Sequence, residues 1–492
     1  MNKANEVEES SLTDSSKASQ KEYRDYVEGP DQTDGENRKP EIRYSIIATS
    51  LLETKAMIGS GLLNVPYTFK SLGIIFSIGT SVLFNLVTFL STYFLLRCKD
   101  ITQRYSYAIY SKLAMGTIGS ISCKFAILLR SISLCCVLLK ILGNILRTLL
   151  LIFFQEYSDQ FFLDSKFLLI IFAVLITPLM IQKDISGIAK FTSLGIYSII
   201  YLFSSLVILF VYKYFQGEIL PYEPKMLLPS GTPFQIFKCF GSYLNAYLFQ
   251  VNVFPIYLPL HPRTTKNMMI STAIGTIFSS VIYISFGIIG FFIYRYDING
   301  TLLVYLGDDL INYVNTNKKM AALLIVFELA FIINTTISTA LNFFVAKSKF
   351  IGLAQSMMKK YQKKKTDEST SGTPLVSLDE SGKETNEPEK RDSKETILNE
   401  RSQVILTLII YIITVVIAFY SDNIITIDNF NGSTVNNYLS VMLPPLFFLI
   451  LIKEYSFSFE KLIAVILIIF SFALIVGYFL FNFTSIFVNK SK

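Results

Sequence analysis

The 492-residue sequence contains one histidine, no tryptophan and five cysteines, and only 16% of its residues are charged. The single histidine, His261, excludes any site that needs two imidazole groups. The cysteines show no metal-binding spacing, and we expect free thiols that pack as small apolar groups. Soluble proteins carry roughly 25% charged residues, so this composition is not that of a soluble protein. No cleavable signal peptide is visible, and the first apolar segment is expected to direct membrane insertion.

In place of charge, the chain has a long series of apolar segments. Hydrophobic residues make up 52% of it, and the mean hydropathy is +0.48. Each segment is close to the ~20 residues that a helix needs to cross hydrocarbon. The pattern predicts an all-α polytopic membrane protein with eleven spans. These are 46–69, 74–96, 124–153, 167–181, 191–213, 234–260, 270–294, 321–346, 403–420, 436–452 and 462–488.

Two polar stretches divide the chain. Residues 1–43 and 350–402 are rich in charged and small polar residues, and both are predicted to be disordered and cytosolic. Spans one to eight then occupy 44–349, and spans nine to eleven with a short tail occupy 403–492.

The distribution of basic residues predicts the orientation. Lysine and arginine are concentrated in the loops after spans two, six and eight, so these loops and the N-terminus are predicted to face the cytosol. The net charge of +7 therefore reflects membrane topology and gives no case for nucleic-acid binding. Sequons at Asn299 and Asn431 fall in loops predicted on the other side, where glycosylation occurs.

The composition of the first span is not that of a simple membrane anchor. Residues 53–73 read ETKAMIGSGLLNVPYTFKSLG, with two charges, then Gly59-Ser60-Gly61, then Pro66. One interpretation is close helix packing through small residues. The other is a deliberate interruption of the helix.

The sixth span favours the second interpretation. Residues 243–262 read YLNAYLFQVNVFPIYLPLHP, with Asn245, Gln250 and Asn252 in mid-span and prolines at 255 and 259. Proline removes a backbone donor, and amide side chains in lipid need partners or water. Spans one and six correspond if the first ten spans form two five-helix repeats. Paired interruptions of this kind mark the binding site of a secondary transporter.

The chemistry of such a site follows from the bared peptide groups. Free N–H groups at the start of a half-helix favour a carboxylate, and free carbonyls favour an ammonium group. A zwitterionic amino acid carries both a carboxylate and an ammonium group. No charged residue of the chain is placed to complement a charged substrate side chain, so a neutral amino acid is expected. The predicted substrate-binding residues are Ala56, Gly59, Ser60, Gly61, Tyr247, Gln250 and Asn252. No metal or cofactor is expected.

Three ordered blocks resemble the amino acid/auxin permease family. They are KAMIGSGLLNVPYTFKSLG in span one, FQVNVFPIYLPL in span six, and SDNIITIDNFNGSTVNNYLSVMLPPLFFLIL near spans nine and ten. The resemblance covers about 44–488 apart from the long loop. It implies a broken-helix transporter fold of two inverted five-helix repeats plus an eleventh helix, with alternating access. The polar tail and loop are similar to those of the fungal vacuolar members, which implies the vacuolar membrane first and the plasma membrane second.

One position departs from the sodium-coupled members of that family. They carry Asn four residues before the first motif glycine, where this chain has Lys55. We expect its ammonium to replace a sodium ion between spans one and eight, with a proton as the coupling ion. The alternative is a lysine that snorkels to the cytosolic interface. The facing hydroxyls on span eight are Thr335, Thr336 and Ser338.

Glu328 is a second candidate coupling group. It lies in span eight, and we expect either a structural ion pair with Lys140 of span three or a proton carrier. The predicted function is thus a proton-coupled or sodium-independent carrier of neutral amino acids, surrounded by membrane lipids. A membrane enzyme is disfavoured because clustered His or Asp groups are absent from the spans. An amino acid sensor on the same fold stays open.

Overall fold

The computed structural model describes residues 43–182, 194–370, 399–421, 424–452 and 458–490. The predicted N-terminal tail and most of the 350–402 loop lie outside these ranges. The helices in chain order are α1 (Ile46–Met57), α2 (Val65–Thr102), α3 (Tyr107–Leu151), α4 (Ser165–Ile181), α5 (Leu194–Phe215), α6 (Pro233–Ala246), α7 (Val253–Tyr257), α8 (Thr265–Tyr294), α9 (Leu302–Thr316), α10 (Lys318–Thr370), α11 (Glu400–Tyr420), α12 (Ile424–Phe430), α13 (Leu443–Leu451) and α14 (Phe459–Lys490).

Helices dominate because apolar runs in lipid must satisfy their own backbone hydrogen bonds. Within the described ranges, eight helical segments are long and apolar enough to cross a membrane. They correspond to predicted spans two, three, five and seven to eleven. Span four is the shorter α4, of 17 residues. Spans one and six do not appear among the long helices because each is divided.

The division of span one is followed by a sharp turn. Its second half is the beginning of α2, which changes direction at Gly73, where φ is +71°. A β-carbon on Gly73 would lie 2.4 Å from the carbonyl oxygen of Leu228. Only glycine fits both the left-handed backbone and this close approach. The rest of α2 is span two.

Packing brings spans one, six and ten together at the centre. Helix α8 packs along α1 and α2, and α10 packs along α3. Helix α6 packs against α12 and against the π-helical stretch Asn431–Asn436 that follows it. The two interruptions therefore face a third irregular span.

Two predicted boundaries are wrong. Helix α10 continues to Thr370, so the first part of the predicted 350–402 loop is helical, because its Lys, Gln, Met and Ala residues extend an existing helix at little cost. Span ten begins at Ile424 rather than at residue 436. The polar run that resembled a loop is inside the protein, where Asp428, Asn429 and Asn436 form side-chain hydrogen bonds with other spans.

Candidate functional site

The interruption of span one centres on Gly59. Helix α1 ends at Met57, Ile58 is extended, and a 3₁₀ turn covers Ser60–Asn64 before α2 begins at Val65. Pro66 stands in the first turn of α2, where its missing N–H costs nothing. A β-carbon on Gly59 would meet nothing within 4 Å, so open space lies beside this backbone.

Peptide donors are bared at this point. In the part of the chain that the structure describes, the N–H groups of Gly59 and Gly61 make no hydrogen bond. They lie just before the second half of the span, where the helix dipole favours negative charge. Ala56 lies half-buried on the last turn of α1. The side chain of Ser60 lies outside the described residues.

The interruption of span six lies between Ala246 and Val253. Residues 247–249 leave the helix and a 3₁₀ turn covers Gln250–Asn252. Phe249 donates its N–H to Oε1 of Gln250 at 3.0 Å, and Gln250 is 1% exposed. The side-chain carbonyl of Gln250 thus caps the local backbone, and its predicted substrate contact stays a prediction. Asn252 is half-buried.

The two interruptions touch each other. A β-carbon on Gly61 would lie 3.1 Å from Cα of Ala246. The carbonyl oxygens of Met57 and Ala246, each at the end of a first half-helix, both accept from the hydroxyl of Tyr283, at 2.9 and 2.8 Å. Two carbonyls on different spans thus converge on one point. The sequence predicted carbonyls of span six as acceptors for an ammonium group, and the Ala246 carbonyl is at the position where that prediction applies.

The hydroxyl of Tyr247 joins two neighbouring spans. It hydrogen-bonds with Ser81 of α2 at 2.5 Å and with Ser280 of α8 at 2.8 Å. Contacts between spans two and seven therefore use the hydroxyl of Tyr247, and the predicted substrate contact of this residue stays a prediction.

Lys55 lies where spans one, five and eight meet. A β-carbon on Gly195 of α5 would stand 3.5 Å from Nζ of Lys55 and 2.8 Å from Oδ1 of Asn334 of α10. The structure therefore brings Lys55 close to span eight. Of the predicted hydroxyl residues of that span, Thr335 is buried and Thr336 and Ser338 are half-buried.

Glu328 does not pair with Lys140. Its side chain is 1% exposed, and neither carboxyl oxygen has a hydrogen-bond partner among the described residues. Lys140 instead donates to the carbonyls of Ala418, at 3.2 Å, and Ser421. These carbonyls end α11, where the negative end of the helix dipole attracts a cation. The predicted ion pair is therefore wrong.

The sequence analysis missed a buried polar network around Asp428 of α12. Its carboxyl accepts from the amide of Asn64 at 2.6 Å and from that of Asn245 at 2.5 Å. Asn64 follows the interruption of span one, and Asn245 precedes that of span six. The available signal was the run IDNFNGSTVNN, whose polar residues indicated a loop by composition but fill the centre of the protein instead.

The two predicted glycosylation sites differ in exposure. Asn299 is exposed on the loop after α8, as an acceptor must be. Asn431 is 2% exposed within the π-helical stretch of span ten. A glycan has no room there, so the prediction for Asn431 is wrong.

Paired interruptions of spans one and six, with bared peptide groups facing each other, define a broken-helix transporter fold. A crystal structure described as MhsT in complex with L-phenylalanine confirms this fold: it covers 90% of this chain and 100% of its own, with a TM-score of 0.51 and 14% identity. Residues 43–484 match the family described as transmembrane amino acid transporter protein, and the chain belongs to that family. The predicted amino acid/auxin permease resemblance is thereby confirmed, and the family is one of transporters rather than enzymes.

Two curated relatives match part of the chain. The chain is 23% identical over 304 residues to "Amino acid transporter AVT6E" of Arabidopsis thaliana, covering 58% of this chain and 62% of the relative. It is 24% identical over 308 residues to "Putative amino acid transporter AAT1" of Plasmodium falciparum, covering 61% of this chain and 45% of the relative. The matched region thus spans less than two thirds of each relative's length.

Proposed function

We propose that this protein is a secondary active transporter of neutral amino acids that works by alternating access around the interruptions of spans one and six. The observation that carries the proposal is the convergence of the Met57 and Ala246 carbonyls on one point, beside the unbonded N–H groups of Gly59 and Gly61. Carbonyls suit the ammonium group, and the N–H groups suit the carboxylate. The names of the relatives and the L-phenylalanine of MhsT support the same substrate class.

Binding requires the Tyr283 hydroxyl to give up its place. In the present conformation the hydroxyl donates to the two carbonyls that we assign to the ammonium group. An ammonium group offers three donors and satisfies both carbonyls at once, whereas a hydroxyl has a single proton to share. When the substrate replaces the Tyr283 hydroxyl at the two carbonyls, α8 must move. Substrate binding is thus linked to a movement of α8.

The coupling ion in this proposal is a proton. Lys55 of α1 lies close to α5 and to Asn334 of α10. This position supports the proposal that its ammonium group takes the place of a metal ion between spans one and eight. Uptake that continues when choline replaces Na⁺ is the expected result. Strict sodium dependence would refute this part.

The membrane and orientation are also proposed. The basic loops after even-numbered spans support a cytosolic N-terminus, and the family resemblance favours the vacuolar membrane. Protease protection of N-terminal and Asn299-loop epitope tags in sealed vacuoles tests both. An N-terminal tag that is protected while the loop tag is cleaved contradicts the orientation.

The decisive experiment is reconstitution of the purified chain in liposomes. Labelled forms of the twenty common amino acids are screened for counterflow, with and without a pH gradient. Gly59→Val fills the open space at the site and should abolish uptake. Gly79→Val is the matched control, because Gly79 is exposed on α2 and a β-carbon there also meets nothing within 4 Å. Failure of every amino acid to exchange, or equal uptake by the two variants, rejects the proposal; retained binding without flux indicates a sensor.

A further inference from the structure

Asp428 ties together three spans at the interruptions. It is 0% exposed on α12 of span ten. One carboxyl oxygen accepts from Asn64, in the turn that begins the second half of span one, and the other accepts from Asn245, in the last turn of α6. Both bonds, at 2.6 and 2.5 Å, hold the halves of spans one and six that lie on the side of the site opposite the N-terminus.

Both asparagines present an NH₂ group to Asp428. Oδ1 of Asn245 accepts from the amide of Asn436 at 2.5 Å, which is consistent with the NH₂ group of Asn245 facing Asp428. Next to it, Ser242 of α6 donates to Asn429 at 2.7 Å. Asp428 therefore meets two donors, which is the environment that suits a carboxylate.

Within the described ranges, no cation balances this carboxylate. Among the described residues, Asp428 forms no ion pair with any lysine or arginine. From α3, Lys140 donates to carbonyls at the end of α11. From α6, the hydroxyl of Tyr243 donates to Ser77, and from α8 that of Tyr283 donates to the interruption carbonyls. A proton is thus the simplest positive charge that the site can take up.

We propose that Asp428 accepts the coupling proton, and that its protonation weakens its two amide hydrogen bonds so that the outer halves of spans one and six can separate. The inference rests on the proposed transport function. A proton from the extracytosolic side forms an O–H bond on the carboxylate. The neutral carboxyl group is a weaker acceptor than the carboxylate, and its new hydroxyl meets an NH₂ group that is also a donor, so that hydrogen bond is weakened. Loss of the proton towards the cytosol restores the carboxylate and both ties.

Two other buried carboxyl groups, Glu53 and Glu328, do not connect the two interrupted spans. Glu53 of α1 accepts from the hydroxyls of Ser271 and Thr272 at 3.1 and 3.3 Å. A hydroxyl can reverse from donor to acceptor, so protonation of Glu53 need break no contact. Glu328 has no hydrogen-bonded partner in the described chain to release. Of these three groups, Asp428 alone connects both interrupted spans.

The test compares two modes of transport in proteoliposomes with the membrane potential clamped at zero. The probe is the labelled amino acid with the fastest wild-type counterflow in the screen above. Counterflow needs no net proton movement, whereas accumulation against a gradient does. A tenfold proton gradient can drive at most about tenfold accumulation at one proton per amino acid. Asp428→Asn should retain counterflow but fall to an accumulation ratio of about one, and lose the proton influx seen with a trapped pH dye.

Asp159→Asn is the control, because Asp159 is exposed on the loop after α3 and should leave both modes unchanged. Glu53→Gln and Glu328→Gln test the competing carboxyl groups. The proposal is overturned if Asp428→Asn still accumulates substrate, if it loses counterflow as well while remaining monodisperse, or if another carboxyl variant alone is uncoupled. If a pH gradient does not drive accumulation by the wild type, this proposal is overturned but the proposed amino acid transport is not. If the wild type exchanges no amino acid, the proposed function itself is rejected.

Discussion

The contact between the two interruptions gives a quantitative prediction for Gly61→Ala. The added methyl group would stand 3.1 Å from Cα and 3.2 Å from Cβ of Ala246. Unstrained carbon atoms prefer separations of roughly 3.5–4.0 Å. Both neighbouring atoms belong to a short residue on the end of α6 and have no flexible side chain to move aside. The two spans must therefore separate by several tenths of an ångström.

The cost follows from known overpacking effects. Extra methyl groups in a close-packed interior destabilise proteins by about 1–3 kcal/mol. Separation also moves the Ala246 carbonyl away from that of Met57, so the pair no longer converges on one point. We expect a lower apparent melting temperature, by roughly 2–4 °C for each kcal/mol, and a binding affinity reduced about tenfold or more.

The assay is thermal unfolding of the purified variants with and without the transported amino acid, together with its equilibrium binding. Gly59→Ala is the matched comparison, since a β-carbon there meets nothing within 4 Å. It should melt like the wild type but bind less tightly, because its methyl group occupies the ligand space. If Gly61→Ala melts and binds as the wild type does, the close contact between the interruptions is refuted.

Other parts of the structure give further expectations. Tyr283→Phe removes the donor shared by the Met57 and Ala246 carbonyls, so the ligand-free protein should lose about 1–3 kcal/mol of stability and show a larger ligand-induced rise in melting temperature; an unchanged ligand response contradicts displacement of the hydroxyl. Asn299→Gln should abolish a glycosidase-sensitive mobility shift that Asn431→Gln leaves intact, and the reverse result contradicts the burial of Asn431. Replacement of Na⁺ by choline should change the uptake rate less than twofold, measured with protein-free liposomes as the blank.

The sequence alone determined the architecture. A run of about twenty apolar residues must become a helix in lipid because nothing else satisfies its backbone, and this property is local to each segment. The positions of Gly59 and Pro66 likewise marked the interruption of span one, since glycine and proline act on the backbone where they stand. The family blocks around these residues gave the fold class.

The tertiary structure decided which polar side chains belong to the site. Gln250 and Tyr247 were assigned by nearness in sequence to the interruption, but a side chain on an irregular segment can face any neighbour, and both are used in packing. Tyr283 and Asp428 lie on spans seven and ten, and nothing in their local sequence states that they meet spans one and six. Hydrogen bonds between residues more than a hundred positions apart depend on how the helices pack, and that arrangement is a property of the whole chain.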